Sequence, residues 1–287
     1  MVKPSTSRQL SEPDWRALAK MALDEDCASD DATTALLGDR GKKPAVGGFR
    51  AEGEFIVAGL PLVEAVFRGL DPSVSVDILV EEGGRAQRGA LIANVNGPAG
   101  VLLGGERVAL NFLQRLSGIA TVTRRAMDLL AGTQSVVTDT RKTTPGLREA
   151  EKYAVRTGGG TNHRQSLADQ ILWKDNHWAM LEGAPTLLGD VLAKAPPGMP
   201  VCVEVETDEQ LEVALKAGAS WLLIDNQSPE KLALWSRRIG NSAVIEASGG
   251  ILPEDVRAYA DAGADRISLG ALTYSPDPVS ISFEIAV

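Results

Sequence analysis

The stretch VCVEVETDEQLEVALKAGASWLLIDNQSPEKLALWSRRIGNSAVIEASGG, residues 201 to 250, decides the fold of its half of the chain. Its apolar runs VCVEVE (201 to 206), WLLID (221 to 225) and AVIEAS (243 to 248) are short and rich in β-branched residues, as buried strands are. Between them, DEQLEVALKAG and SPEKLALWSRRI carry apolar residues at helical spacing, open on acidic or Ser-Pro caps and close near glycine. Strand then helix, repeated, means parallel strands joined by crossover helices.

The alternation extends in both directions. Toward the C-terminus it adds LPEDVRAYADAG and DRISLG (265 to 270). Toward the N-terminus it adds PTLLGDVLAKA, DQILWK (169 to 174), PGLREAEKYAVRTGG and SVVTDT (135 to 140). Strand ends recur every 20 to 35 residues or so, the spacing of an α/β barrel, but six strands are visible where a closed barrel has about eight. The expected fold class is therefore α/β: an open, incomplete α/β barrel, with a doubly wound sheet as the weaker alternative.

The first half reads differently. From about Ala45 to Gly105, runs such as GGFRAEGEFIVAGLP and VSVDILVEEGG are broken by glycine and acids, which predicts strands joined by tight turns, with one helix around Leu62 to Leu70. GERVALNFLQRLSGIATVTRRAMDLLAG, roughly 105 to 132, is helical in pattern, with Gly118 as a break. These readings predict an N-terminal α+β sandwich domain over 1–118 and a barrel domain over 119–274, with a tail from about 275 to 287 packing back on the first.

Composition narrows the function. The opening MVKPSTSRQLSEPDW has no apolar run of signal-peptide length, and no segment reaches the roughly 20 apolar residues of a membrane helix. A cytoplasmic protein is expected. Two cysteines, Cys27 and Cys202, make no disulfide framework and stand in no zinc-ligand spacing. A net charge of −9 argues against nonspecific nucleic-acid binding. Between Asp139 and His177, however, seven Lys or Arg face five acids, a local excess of positive charge suited to a small anion. The only two histidines, His163 and His177, also lie in this window.

In either architecture ligands bind where strands end on their carboxyl side. Those ends deliver Asp139, Arg141 and Lys142; Lys174 and Asp175; Glu204 and Glu206; Asp225; Ser248, Gly249 and Gly250; and Gly270. Arginine and lysine recognise carboxylates and phosphates. Strand-end carboxylates can hold Mg²⁺ or sugar hydroxyls. The SGG and SLG turns offer backbone N–H groups to phosphate. No Ser-His-acid set or clustered cysteine marks a covalent nucleophile, so the residues point to catalysis by positioning and electrostatics on a multiply anionic ligand with a sugar between its charges.

The motifs NFLQRLSGIAT (111 to 121), DTRKTTPGLR (139 to 148), EKYAVRTGGGTNHR (151 to 164), LWKDNH (172 to 177), VEVE (203 to 206), LIDN (223 to 226), EASGGI (246 to 251) and SLGALT (268 to 273) resemble, in order, those of the quinolinate phosphoribosyltransferases. The resemblance implies a pentosyltransferase that joins quinolinate to phosphoribosyl pyrophosphate with Mg²⁺, giving nicotinate mononucleotide, carbon dioxide and pyrophosphate in NAD biosynthesis. It implies that Arg141, His163 and Arg164 hold the pyridine dicarboxylate, with Thr140 beside them. Lys142 and Lys174 are expected to face the substrates and pyrophosphate, Glu206 and Asp225 the ribose hydroxyls and the metal, and Ser248, Gly249, Gly250 and Gly270 the phosphate. It further implies a homodimer or assembly of dimers in which Arg115 is donated to the neighbouring subunit's site. Glu204 and Glu206 lie on one strand face; Glu206 is preferred because it is nearer the strand end. The role of His177, local cap or ligand, stays open. A relative retooled for another aromatic acid, and a noncatalytic anion-binding protein, are the alternatives.

Overall fold

The computed structural model describes residues 12–181 and 183–286. By chain contacts it divides into two compact units: 12–124, 144–159 and 276–286 in one, 125–143 and 160–275 in the other. The helix Ala99–Leu129 runs unbroken through Gly118, so the expected break there is absent and the expected boundary at 118 falls inside a helix. Gly118 serves a different end: a Cβ on it would collide with the carbonyl of Asp277. The missing side chain admits the returning C-terminal segment.

The first unit holds β1 (Pro44–Ala51), β2 (Phe55–Ile56), β3 (Ser75–Ile78), β4 (Arg85–Ala86) and β5 (Leu91–Pro98), with helices Trp15–Glu25 and Leu60–Leu70. β1 pairs antiparallel with β5, and β5 with β3. β1 alternates exposed and buried residues, the signature of a sheet with one covered face. Leu60–Leu70 contributes the fully buried Leu62, Val63, Val66 and Phe67.

The second unit holds β6 (Val136–Thr138), β7 (Ile171–Trp173), β8 (Val201–Val205), β9 (Trp221–Asp225), β10 (Val244–Ser248) and β11 (Arg266–Ser268). They form one sheet in the order β6-β11-β10-β9-β8-β7, each pair parallel. From β7 to β11 every strand lies beside the next in sequence, and the first strand then lies beside the last. A doubly wound sheet reverses direction at a switch point; this one never does. It is a barrel wound in a single sense and open between β6 and β7. At the opening, Thr161 makes a single parallel bridge with Thr138 on the free edge of β6. Both faces of β8 to β10 are buried, as parallel strands under crossover helices require.

The tail returns to the first unit as β12 (Ile281–Ala286), antiparallel to β1. Phe283 packs 4.6 Å from Phe49 and 6.1 Å from Phe67, centroid to centroid. Such aromatic pairs add about 0.5–1.5 kcal/mol each beyond the area they bury. Among the described residues no helix is long and apolar enough to cross a membrane.

Candidate active site

The sheet register decides which side chains meet at the carboxyl ends of the barrel strands. β7 sets Trp173 level with Val203, so the next residues, Lys174 and Glu204, come together: Nζ lies 3.0 Å from Glu204 Oε2. Glu204 Oε1 accepts the Asp175 N–H at 3.3 Å, and the Glu204 carbonyl accepts the Trp178 indole N–H at 2.8 Å. Glu204 is buried and Lys174 half-buried. His177 is exposed and caps the helix Asp175–Ala179, its Nδ1 accepting the Lys174 N–H at 3.0 Å. Of the two roles left open for His177, the structure shows the cap.

Glu206 stands past the end of β8, exposed. Asn226 Nδ2 donates to Asp225 Oδ2 at 2.7 Å and to Glu206 Oε1 at 3.2 Å, tying the two carboxylates on one rim. Asn226 has a left-handed φ of 55° and donates its N–H to the Ser248 carbonyl at 3.0 Å. Gly249, at φ 97°, lies so close that a Cβ would overlap Asn226 main chain and side chain. Gly250 follows at φ 64°. These conformations are ones that glycine adopts at little cost, and they wrap the Ser248-Gly249-Gly250 turn around Asn226.

The third part of the rim comes from β6 and β11. The Lys142 carbonyl accepts the Thr273 hydroxyl at 2.7 Å, and the Lys142 stem passes so near Gly270 that a Cβ there would meet its Cδ at 3.1 Å. The exposed lysine and the SLG turn thus converge. Thr140 Oγ1 accepts the Lys142 N–H at 3.0 Å, which shapes the turn that presents Arg141 and Lys142.

Arg164 is half-buried, and its Nη1 donates to the Gln170 carbonyl at 3.0 Å. Burial first, and then the neighbouring Arg141 guanidinium, pull its pKa below the ordinary arginine value. Two positive charges acting in a partly desolvated place would suit an anion with more than one negative group.

His163 is buried. It is 7% exposed; its Nδ1 accepts the Arg164 N–H at 2.8 Å, and its Nε2 lies 3.4 Å from Glu246 Oε1. Glu246 is fully buried: Oε2 accepts the Trp221 indole N–H at 2.9 Å, Oε1 accepts the Ser268 hydroxyl, and Arg266 Nε lies 3.4 Å away. Asp139, also fully buried, accepts the His163 N–H at 2.9 Å and the Asn162 side-chain amide.

Arg115 belongs to the other unit. Its Nη2 pairs with the fully buried Glu151 at 3.0 Å, and its Nη1 donates to the Pro276 carbonyl at 3.0 Å. Thr144 completes the Glu151 shell with its N–H at 3.0 Å and its hydroxyl at 2.8 Å. The Arg115 side chain keeps 22% exposure. In the helix Arg148–Thr157, which carries Glu151, Lys152 is also fully buried.

Residues 31–117 match the family profile for the quinolinate phosphoribosyl transferase N-terminal domain, and residues 119–284 match that for its C-terminal domain. The chain belongs to the quinolinate phosphoribosyltransferase family. It is 42% identical over 237 residues to a probable nicotinate-nucleotide pyrophosphorylase [carboxylating] of Bacillus subtilis (strain 168), covering 83% of this chain and 82% of that one. Among solved structures, NadC from Streptococcus pyogenes superposes with a TM-score of 0.90 at 36% identity, covering 98% and 99% of the two chains. The nicotinate-nucleotide pyrophosphorylase from Francisella tularensis gives 0.90 at 31% identity, covering 98% and 100%. Within this quinolinate phosphoribosyltransferase barrel, sequence reasoning missed Asn226, Glu246 and Arg266 as parts of the site. For the last two the signal was present: a charge of each sign inside a short apolar strand.

Proposed function

We propose that this chain transfers the phosphoribosyl group of phosphoribosyl pyrophosphate to the ring nitrogen of quinolinate and releases pyrophosphate and carbon dioxide, leaving nicotinate mononucleotide, a step of NAD biosynthesis. The observation that carries this reading is the match of both parts of the chain to the two quinolinate phosphoribosyl transferase domains; the half-buried Arg164, under the charge of Arg141, suits an adjacent dicarboxylate. A monocarboxylate leaves one cation half-paired, and a lost hydrogen bond to a charged group costs about 1.5–3 kcal/mol, or roughly 10- to 100-fold in affinity.

The rest of the rim suits the sugar pyrophosphate. Glu206 and Asp225, joined by Asn226, face the ribose and stabilise the positive charge that grows at its C1 as the ring nitrogen attacks and the C1–O bond to pyrophosphate breaks. Lys142 beside Gly270, with the Ser248-Gly249-Gly250 turn, receives the phosphates, and Lys174, oriented by Glu204, faces the leaving group. The new ring cation is the electron sink for loss of the C2 carboxylate, so decarboxylation needs little from the side chains.

Glu206 and Asp225 also fit Mg²⁺, which commonly takes one or two protein carboxylates and fills its shell with water and substrate phosphate. Bound there, the ion would offset charge on the departing pyrophosphate. The assembly that accords with this reading is a homodimer in which Arg115, anchored by Glu151, reaches the partner's quinolinate, and the setting is the cytoplasm. The test is pyrophosphate release from purified protein with Mg²⁺: release that requires both quinolinate and phosphoribosyl pyrophosphate is expected, and release with neither or only one, or none with both, overturns the reading.

A further inference from the structure

At Asn226 the carboxylate side of the rim meets the glycine turn. Its side-chain amide has two N–H groups and gives one to each carboxylate, to Asp225 Oδ2 at 2.7 Å and to Glu206 Oε1 at 3.2 Å. Two carboxylates at adjoining strand ends repel each other, and with Glu206 exposed and Asp225 half-buried they would otherwise turn apart into water. A neutral amide draws them together without adding charge. The main chain at the two strand ends is held separately: Gln227 Nε2 donates to the Glu206 carbonyl at 3.1 Å and to the Asp225 carbonyl at 3.0 Å, and the Gln227 carbonyl accepts the Tyr259 hydroxyl at 3.2 Å. What remains for the Asn226 amide is the aim of the two acidic side chains.

The rest of Asn226 carries the turn. Its main-chain N–H donates to the Ser248 carbonyl at 3.0 Å, and a Cβ on Gly249 would overlap its Oδ1, N and Cα, so the turn cannot shift without moving Asn226. Few residues can stand here. A left-handed φ of 55° is adopted readily by glycine, asparagine and aspartate. Glycine has no side-chain donor, and aspartate has no N–H and would add a third negative charge. Asparagine alone of the three meets both demands.

We infer that Asn226 is a positioning residue for phosphoribosyl pyrophosphate: its amide aims Glu206 and Asp225 at the ribose hydroxyls, and its backbone seats the Ser248-Gly249-Gly250 turn beside them, so that the sugar and its phosphate are gripped as one unit. The inference rests on the assignment of those carboxylates and that turn to the sugar phosphate. A residue that acts through Glu206 must lose much of its effect when that carboxylate is gone.

Asn226→Gly removes the amide and keeps a backbone that glycine adopts at little cost, so the variant is expected to fold with a Tm close to wild type. Calorimetry with one substrate at a time reads binding without turnover. Asn226→Gly is expected to raise the Kd for phosphoribosyl pyrophosphate with Mg²⁺ about tenfold and to leave the Kd for quinolinate within about twofold. In a Glu206→Ala background the same substitution is expected to cost only about threefold, because the carboxylate it aims is absent. An unchanged Kd for phosphoribosyl pyrophosphate, an equal loss for quinolinate, or the same fold-loss in both backgrounds overturns the inference. Pyrophosphate release by the unaltered protein with both substrates checks the transferase reading in the same preparation, so an active wild type beside a silent Asn226→Gly removes the positioning role alone.

Discussion

Glu204 holds Lys174 at 3.0 Å, and Glu206, two residues along the same strand direction, does not take part in that pair. Their tasks are therefore separable. Glu204→Gln removes the charge that orients the lysine but keeps a hydrogen-bonding side chain, and is expected to lower kcat about 10- to 100-fold. Glu206→Gln is expected to raise the KM for phosphoribosyl pyrophosphate and the Mg²⁺ concentration for half activity, with the KM for quinolinate within about twofold of wild type. Steady-state kinetics with each substrate varied checks both, and a quinolinate-only effect of Glu206→Gln would reassign it.

Gly249 combines a φ of 97° with direct contact on Asn226, so any side chain meets both backbone strain and collision. Gly249→Ala is expected to cost at least about 1–3 kcal/mol in local strain and to raise the KM for phosphoribosyl pyrophosphate. Gly250→Ala, at φ 64° with open space around its Cβ position, is expected to be milder. Thermal denaturation and kinetics of the two variants test the order.

Asp208 accepts hydrogen bonds from Lys231, from the Trp235 indole N–H at 3.0 Å and from Arg238. Lys231 first, and then Trp235, draw its pKa from the ordinary 3.8 down to about 2. A depressed folded-state pKa contributes stability above the unfolded value and loses it as pH falls through the folded one. Stability is thus expected to drop between about pH 4 and 2 by an amount that Asp208→Asn removes, read from denaturant midpoints across that window. Equal pH slopes for the two proteins would contradict this.

Arg115 is anchored to the fully buried Glu151, so Arg115→Gln is expected to lower Tm as well as activity, because it leaves that carboxylate without its cation. Refolded together at equal amounts, Arg115→Gln and Lys142→Ala subunits, each inactive alone, are expected to regain about a quarter of wild-type activity, since half of randomly paired dimers hold one intact site. No recovery despite subunit exchange, measured by native mass spectrometry, would place Arg115 in its own subunit's site.

The barrel was legible because its information is local: six β-branched runs of the right length, alternating with helical patterns of which several carry cap residues, leave few arrangements. The rim was legible for the same reason, since a charge ending an apolar run marks a strand end. What escaped depends on register. Glu246 and Arg266 are 20 residues apart in sequence, and only the pairing of β10 with β11 makes them neighbours. Gly118 looked like a helix breaker because the carbonyl of Asp277, the group that requires its bare Cα, lies far along the chain.

On the proposed function, this enzyme selects a pyridine dicarboxylate and removes one of its carboxyl groups. The most direct measurement supplies quinolinate labelled in its C2 carboxyl, in parallel with nicotinate, to the enzyme with phosphoribosyl pyrophosphate and Mg²⁺. Labelled carbon dioxide and nicotinate mononucleotide are expected in equal amounts from quinolinate, with a kcat/KM for nicotinate lower by at least about 10- to 100-fold. Equal turnover of nicotinate, or nucleotide formed with the label retained, would contradict it.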